Sequence, residues 1–268
     1  MNLLEKKMFE ILKKGKEYFN YTAVRAEFET EGARSDELLR LVDIAYKAGV
    51  DLAIKIGGCE AVADLNQARL LGAASIVAPM VESVYALKKY ILACERVFPE
   101  SLGDRPSFLF NIETINAFDR QEDLFHIAKS SILKGVVFGR VDFVGSLGLS
   151  RSEIESQQIT EKIQKTAAFC KDNSLQLIVG GAISVDSLPA LTQVSSVFLS
   201  HFETRKIVFG QHAITLPNIE EGLLGSVEFE LLWLKNKKEY YGRISQEDHK
   251  RIELLEKRWH LSAERLAA

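Results

Sequence analysis

The sequence predicts a single α/β domain, a closed (β/α)8 TIM barrel with an N-terminal helix and a C-terminal helical extension. Three observations predict it. Short β-rich runs alternate with helical runs from about residue 20 to residue 215, and such alternation implies a parallel sheet covered by helices. The chain has 268 residues, close to the roughly 250 of one such barrel. Charged side chains gather at the carboxyl ends of several strands, where this architecture places its chemistry.

An amphipathic helix opens the chain: over residues 3–19, Leu4, Met8, Ile11, Leu12 and Phe19 recur at near-helical spacing. TAVRAEF then reads as a strand. SDELLRLVDIAYKAG reads as a helix, with Asp36 and Glu37 at the positive end of its dipole and a glycine at its close. The second strand, VDLAIKI, stops at Gly57-Gly58, a pair that permits a tight turn and close backbone approach to a ligand. The helix EAVADLNQARLLG, the strand SIVAP, the helix SVYALKKYILACERVF, the strand SFLFNIE and the helix EDLFHIAKSSI follow in turn. Strand five is KGVVFGRVDF, and the loop GSLGLS leads from it to the helix SEIESQQITEKIQKTAAFCKDN. Strand six is LQLIVGG, its helix a short SVDSLPALTQ, and strand seven SVFLS. TRKIVFG is the candidate eighth strand, with too few residues before it for a full crossover helix. Either that crossover is very short or the two runs form one interrupted strand. Residues 218–268 read as two long helices, the second charged and amphipathic. The chain is thus one domain, 1–268, with its barrel core over 20–215.

Composition narrows the function. Hydrophobic residues make up 47% and charged residues 26%, and the formal net charge is −3 with no basic stripe. Nucleic acid is therefore not the expected partner. No apolar run reaches the roughly 20 residues that span a bilayer, and the charged N-terminus lacks the apolar core of a signal peptide. The expected location is cytoplasmic, with no membrane partner. Three cysteines without metal spacing agree: Cys94 and Cys170 fall in helical patterns as buried thiols, and Cys59 follows the Gly-Gly turn. No GxGxxG follows the first strand and there is no Walker A motif, so a dinucleotide fold is not expected.

Strand alternation sorts the polar residues by face. Arg25, Glu27 and Glu29 share one face of strand one; Leu109, Asn111 and Glu113 share one of strand four; Phe138, Arg140 and Asp142 share one of strand five; Lys55 ends strand two. The opposite faces, Val24 and Ala26 or Phe108, Phe110 and Ile112, are apolar and suit packing against helices. The charged faces then point into the barrel mouth. Buried charges are costly unless paired or ligand-bound; a self-neutralising layer of ion pairs is the bland alternative. Glu113 and Asp142 end sequential strands, neighbours about 5 Å apart. Two carboxylates so placed repel unless a proton or a divalent cation lies between them, and Mg²⁺ or Mn²⁺ suits carboxylate oxygen. His201, Glu203 and Arg205 form a polar alternating run after strand seven, read as rim residues or an exposed loop.

IETINAF (112–118), GRVDFVGSLG (139–148) and VAPMVES (77–83) resemble the HpcH/HpaI aldolase and citrate lyase family, in order, over about residues 20–215. The resemblance implies a β/α barrel, a homo-oligomer with exchanged C-terminal helices, and a divalent metal (Mg²⁺ or Mn²⁺, with Co²⁺ a further candidate) that chelates pyruvate or oxaloacetate. The implied chemistry is reversible aldol cleavage or a related C–C lyase reaction. By position, Glu113 and Asp142 match the metal ligands, while Pro79, Met80 and the loop Gly145, Ser146, Leu147 and Gly148 match parts of the substrate rim. Lys55 stands where the family has a substrate-binding arginine. No histidine follows TAVRAEFETEG, where the aldolase branch has its base; Glu27 or Glu29 falls near that place.

The expectation is a metal-dependent lyase acting on a small 2-keto acid. Lys55 or Arg140 pairs the substrate carboxylate, Glu27 or Glu29, or a metal-bound water, moves the proton, Gly57 and Gly58 approach the ligand, and the helix start after GSLG offers N–H groups to an anion. Two alternatives stay open: a Schiff base on Lys55, or a barrel that binds an acidic sugar or keto acid without turnover. Trp233, Tyr240 and Tyr241 in the tail suggest a subunit contact.

Overall fold

In the computed structural model, which describes all residues except Glu29 and Ala268, eight strands pair in chain order and close into a barrel. They are β1 (Tyr21–Glu27), β2 (Asp51–Lys55), β3 (Ser75–Ala78), β4 (Ser107–Ile112), β5 (Leu133–Gly139), β6 (Gln176–Gly180), β7 (His201–Glu203) and β8 (Ile207–Gly210). The helices are α1 (Leu3–Tyr18), α2 (Ser35–Ala48), α3 (Val62–Leu70), α4 (Val84–Val97), α5 (Ile115–Asp119), α6 (Gln121–Ala128), α7 (Arg140–Ser146), α8 (Gln157–Asp172), α9 (Leu188–Val197) and α10 (Ile219–Ala267). Local chemistry sets several of these bounds. Asn2 and Glu5 form a capping box at the start of α1. Gly49, at φ 68°, closes α2 in the left-handed conformation that glycine adopts without strain.

The faces of β1 and β4 divide as the sequence predicts, but those of β5 are reversed: Val137 lies inside the barrel and Phe138 packs in the outer core. Val24, Ala26, Phe108, Phe110 and Ile112 are buried in one continuous core between the sheet and its helices. Inside the barrel, Val77, Leu109, Val137 and Ile178 form a separate apolar layer, and Ala23, Ala53 and Val208 another. Residues one step further along these inward faces, Arg25, Lys55 and Asn111, stand in the mouth above these layers.

Four expectations are corrected. Strand seven is not SVFLS, whose first residues end α9; it is His201–Glu203. Strand eight runs antiparallel to both β7 and β1. The three residues 204–206 between β7 and β8 suffice for a hairpin, whereas a parallel partner needs a crossover of a dozen or more. Strand five stops at Gly139, and Arg140 begins α7 rather than continuing the strand. The tail is one helix of 49 residues, not two. It contains no proline, and its mid-helix glycine, Gly242, costs only about 1 kcal/mol against alanine.

The first half of α10 packs against the chain's own body. Tyr21 donates its hydroxyl hydrogen to the Gly222 carbonyl, and Phe229 and Trp233 are buried. Tyr241 donates to Glu37 at 2.7 Å, and Lys237 pairs with the same carboxylate at 2.8 Å. Trp233 and Tyr241 thus have partners within the chain, contrary to the expected subunit contact; Tyr240 is exposed. Beyond Gly242 the helix is exposed throughout its described length. Among the described residues, no helix is long and apolar enough to cross a membrane.

Candidate active site

A cavity of about 650 Å³ opens at the carboxyl ends of the parallel strands. Arg25, Glu27, Lys55, Asn111, Glu113, Asp142 and Glu203 line it. Glu113 is its hub and is almost wholly buried. Its Oε1 accepts from the Met80 backbone N–H at 2.8 Å; its Oε2 accepts from Asn111 Nδ2 at 2.6 Å and from Lys55 Nζ at 3.2 Å. Met80 makes its bond from a left-handed backbone, φ 51°, unusual for a side chain of that size. The Pro79-Met80 segment therefore orients Glu113, and neither residue lines the cavity.

Asp142 reaches the same place from the first turn of α7 rather than from a strand. Partial burial against the cavity wall, and then the adjoining Glu113 carboxylate, push its carboxyl above the usual carboxylate range, although the residue as a whole is exposed. The Asn111 amide is fixed by its bond to Glu113, which leaves its Oδ1 buried without a hydrogen-bond partner among the described residues.

Arg25 lies between two buried acids. It pairs with Glu27 at 2.8 Å and with Glu203 at 3.0 Å. The two acids respond differently. Burial raises the Glu27 carboxyl, but Arg25, Lys55 and Arg205 together hold it below the usual range. Burial and the charges of Glu27 and Glu113 leave Glu203 above that range despite Arg25. Glycine makes room for both central acids. A Cβ on Gly139 would lie 2.9 Å from Glu113 Cβ, and one on Gly180 would lie 2.7 Å from Glu203 Oε1.

Other expected residues sit elsewhere. Arg140 does not share a strand face with Asp142. It is 1% exposed, turned away from the cavity, and donates to the Gly181 carbonyl through Nε (3.0 Å) and Nη2 (2.8 Å), to Ser187 Oγ at 3.0 Å, and to Glu155 at 2.9 Å. Gly57 donates its N–H to Asp64 at 2.7 Å, and neither Gly57 nor Gly58 lines the cavity. Gly145, Ser146, Leu147 and Gly148 form the end of α7 and the turn after it, outside the cavity lining. Ser146 Oγ accepts the Ile115 N–H at 2.9 Å. The helix start beside Asp142 is thus that of α7, and GSLG lies at its opposite end. Glu29 lies outside the described residues. The residue the sequence undervalued is Glu203: once β7 is placed at 201–203, its inward position follows from strand alternation.

No protein-family model matches the chain, and no curated protein matches it. Solved structures do. The HpcH/HpaI aldolase from Desulfitobacterium hafniense DCB-2 superposes with a TM-score of 0.59 and 17% identity, covering 76% of this chain and 84% of that one. An HpcH/HpaI aldolase/citrate lyase family protein from Burkholderia cenocepacia J2315 gives 0.59 and 14%, covering 75% and 82%. The magnesium/glyoxylate complex of Haloferax volcanii malate synthase gives 0.56 and 13%, covering 74% and 65%. At these identities the likeness is one of fold: the chain has the barrel seen in these aldolases, lyases and synthases.

Proposed function

We propose that the chain is a divalent-metal-dependent carbon–carbon lyase that cleaves or forms a 2-keto acid, with pyruvate or oxaloacetate as the enolate partner. The observation that carries this is the carboxylate pair Glu113–Asp142 at the carboxyl end of the barrel.

The residues present fit a hard cation. Two acids press together, and one is destabilised as an anion by the other. Oxygen is the donor Mg²⁺ and Mn²⁺ favour. Among the described residues there is no cluster of three or more His, Cys, Asp or Glu side chains suited to a metal. On this reading the pair Glu113 and Asp142 would be its two protein ligands, leaving further positions for water and substrate. When bound, the ion supplies Lewis-acid polarisation of the substrate's keto group.

The chain's own residues do the rest. Met80 N–H and Asn111 Nδ2 hold Glu113 in one orientation. Lys55, inward on β2 beside Glu113, is placed to pair the substrate carboxylate as a point charge. The polar and charged lining of the cavity favours a hydroxylated, hydrophilic keto acid. Support comes from the barrel shared with aldolases and lyases, and with a malate synthase solved with magnesium and glyoxylate.

The test is pyruvate release from oxaloacetate and a panel of 4-hydroxy-2-keto acids, with and without chelator. Release that needs the metal supports the lyase. Release that survives chelation and is lost in Lys55→Ala transfers the chemistry to a Schiff base. No turnover and no metal binding leaves a binding barrel.

A further inference from the structure

We propose that Glu203 is the catalytic residue that moves the proton in this cavity, acting as one of two buried carboxylates that share the single guanidinium of Arg25. This rests on the lyase reading above and chooses between the carboxylates that could serve as its base.

Three observations carry it. First, Glu203 is at hand: it ends β7 on an inward face and lines the cavity with Lys55, Asn111 and Glu113. Gly180 on the neighbouring strand lacks the Cβ that would occupy its carboxylate's position. Second, the charge count around Arg25 is unbalanced. Glu27 is 4% exposed and Glu203 3%, and both pair with that one cation. A second buried anion without its own counterion is costly, so one of the two is the natural proton carrier. Third, their surroundings differ. The charged groups acting on Glu203 are Arg25 and Glu27 from β1, Lys55 from β2 and Glu113 after β4. Burial is the main cause of its raised proton affinity, with Glu27 and Glu113 adding to it against Arg25 and Lys55, whereas Arg25, Lys55 and Arg205 together hold Glu27 below the usual range. A carboxylate with raised affinity is the better proton acceptor near neutral pH. Glu27 then serves to hold Arg25.

The step balances for a 4-hydroxy-2-keto acid. The Glu203 carboxylate takes the proton of the C4 hydroxyl. The O–H electron pair becomes the second bond of the new C4 aldehyde, and the C3–C4 bond breaks. Its electron pair forms the C2–C3 double bond of the enolate, with the charge on the C2 oxygen. The Glu203 carboxylic acid then returns the proton to C3, giving pyruvate and restoring the carboxylate.

The experiment uses the full-length chain with Mn²⁺. It measures pyruvate release from 4-hydroxy-2-keto acids, exchange of pyruvate methyl protons with D₂O by NMR, and the carboxyl ¹³C titration of the Glu203 side chain, assigned by difference against Glu203→Gln. The expected result is a loss of about 10²- to 10⁴-fold in both reactions for Glu203→Gln, with Mn²⁺ binding retained, partial rescue by Glu203→Asp, and a Glu203 carboxyl that titrates above an ordinary glutamate. If the wild type is active and Glu203→Gln stays within threefold of it, or if Glu203 titrates at or below the ordinary value, the Glu203 assignment alone is overturned. If the wild type catalyses neither reaction, the lyase reading is overturned and the assignment with it.

Discussion

The carboxylate of Glu113 fills the space that a side chain on Gly139 would need, with Oε2 only 3.0 Å from where a Cβ would sit. The strand-end glycine is therefore part of the site, not merely a turn residue. Gly139→Ala is expected to push the Glu113 carboxylate off its three donors, weakening Mn²⁺ binding at least tenfold and costing about 1–3 kcal/mol of stability through overpacking. Calorimetric Mn²⁺ titration with a urea melt checks both. Unchanged binding would show that Glu113 does not hold the ion.

Arg140 bridges the start of α7 to the loop after β6. That loop turns through two left-handed residues, Gly181 (φ 94°) and Ala182 (φ 52°), both of which line the cavity. Arg140→Met should cost about 3 kcal/mol, the low end for a broken buried pair because Glu155 keeps some solvent access. Urea denaturation measures this, and a cost below 1 kcal/mol would refute the clamp.

The two acids on Arg25 predict opposite pH behaviour. Glu203, raised in the folded state, binds its proton more tightly folded than unfolded. Its stabilising contribution is complete below the unfolded value, near 4.3, and is lost as pH rises through the folded one. Glu27 is lowered; its contribution is present above the unfolded value and is lost as pH falls through the folded one. Relative to wild type, Glu203→Gln should therefore gain stability, and Glu27→Gln lose it, as pH rises from the acid range towards neutrality. Urea midpoints from pH 3 to 8 check the signs; matching trends for the two variants would contradict the assignment.

Much of this was legible in the sequence because barrel strands and their faces are written in local alternation. Arg25, Glu27, Lys55, Asn111 and Glu113 were placed in the mouth that way, and all five are there. Alternation failed at GRVDF, where Arg140 and Asp142 mimic a strand pattern inside a helical turn. It also failed at β7, whose three residues are too few to show a period. The commitment of Arg140 to Glu155 and Ser187, which lie 15 and 47 residues away along the chain, is tertiary and leaves no local signal.

The distal half of α10 presents Ile252, Leu255, Trp259 and Leu266, all exposed. The proposal of a homo-oligomer formed through this helix predicts that the full chain sediments as an oligomer. A chain ending at Gly242 should sediment as a monomer with an unchanged melting temperature, since those residues pack on nothing in their own chain. A monomeric full-length protein would contradict it.

The central claim is tested most directly by pyruvate release from the panel of keto acids by wild type, Glu113→Gln and Asp142→Asn, each with Mg²⁺ or Mn²⁺ and with chelator. The account predicts release that requires the metal and falls at least a hundredfold in both variants, with their folding intact. Metal-independent release that both variants retain would contradict it.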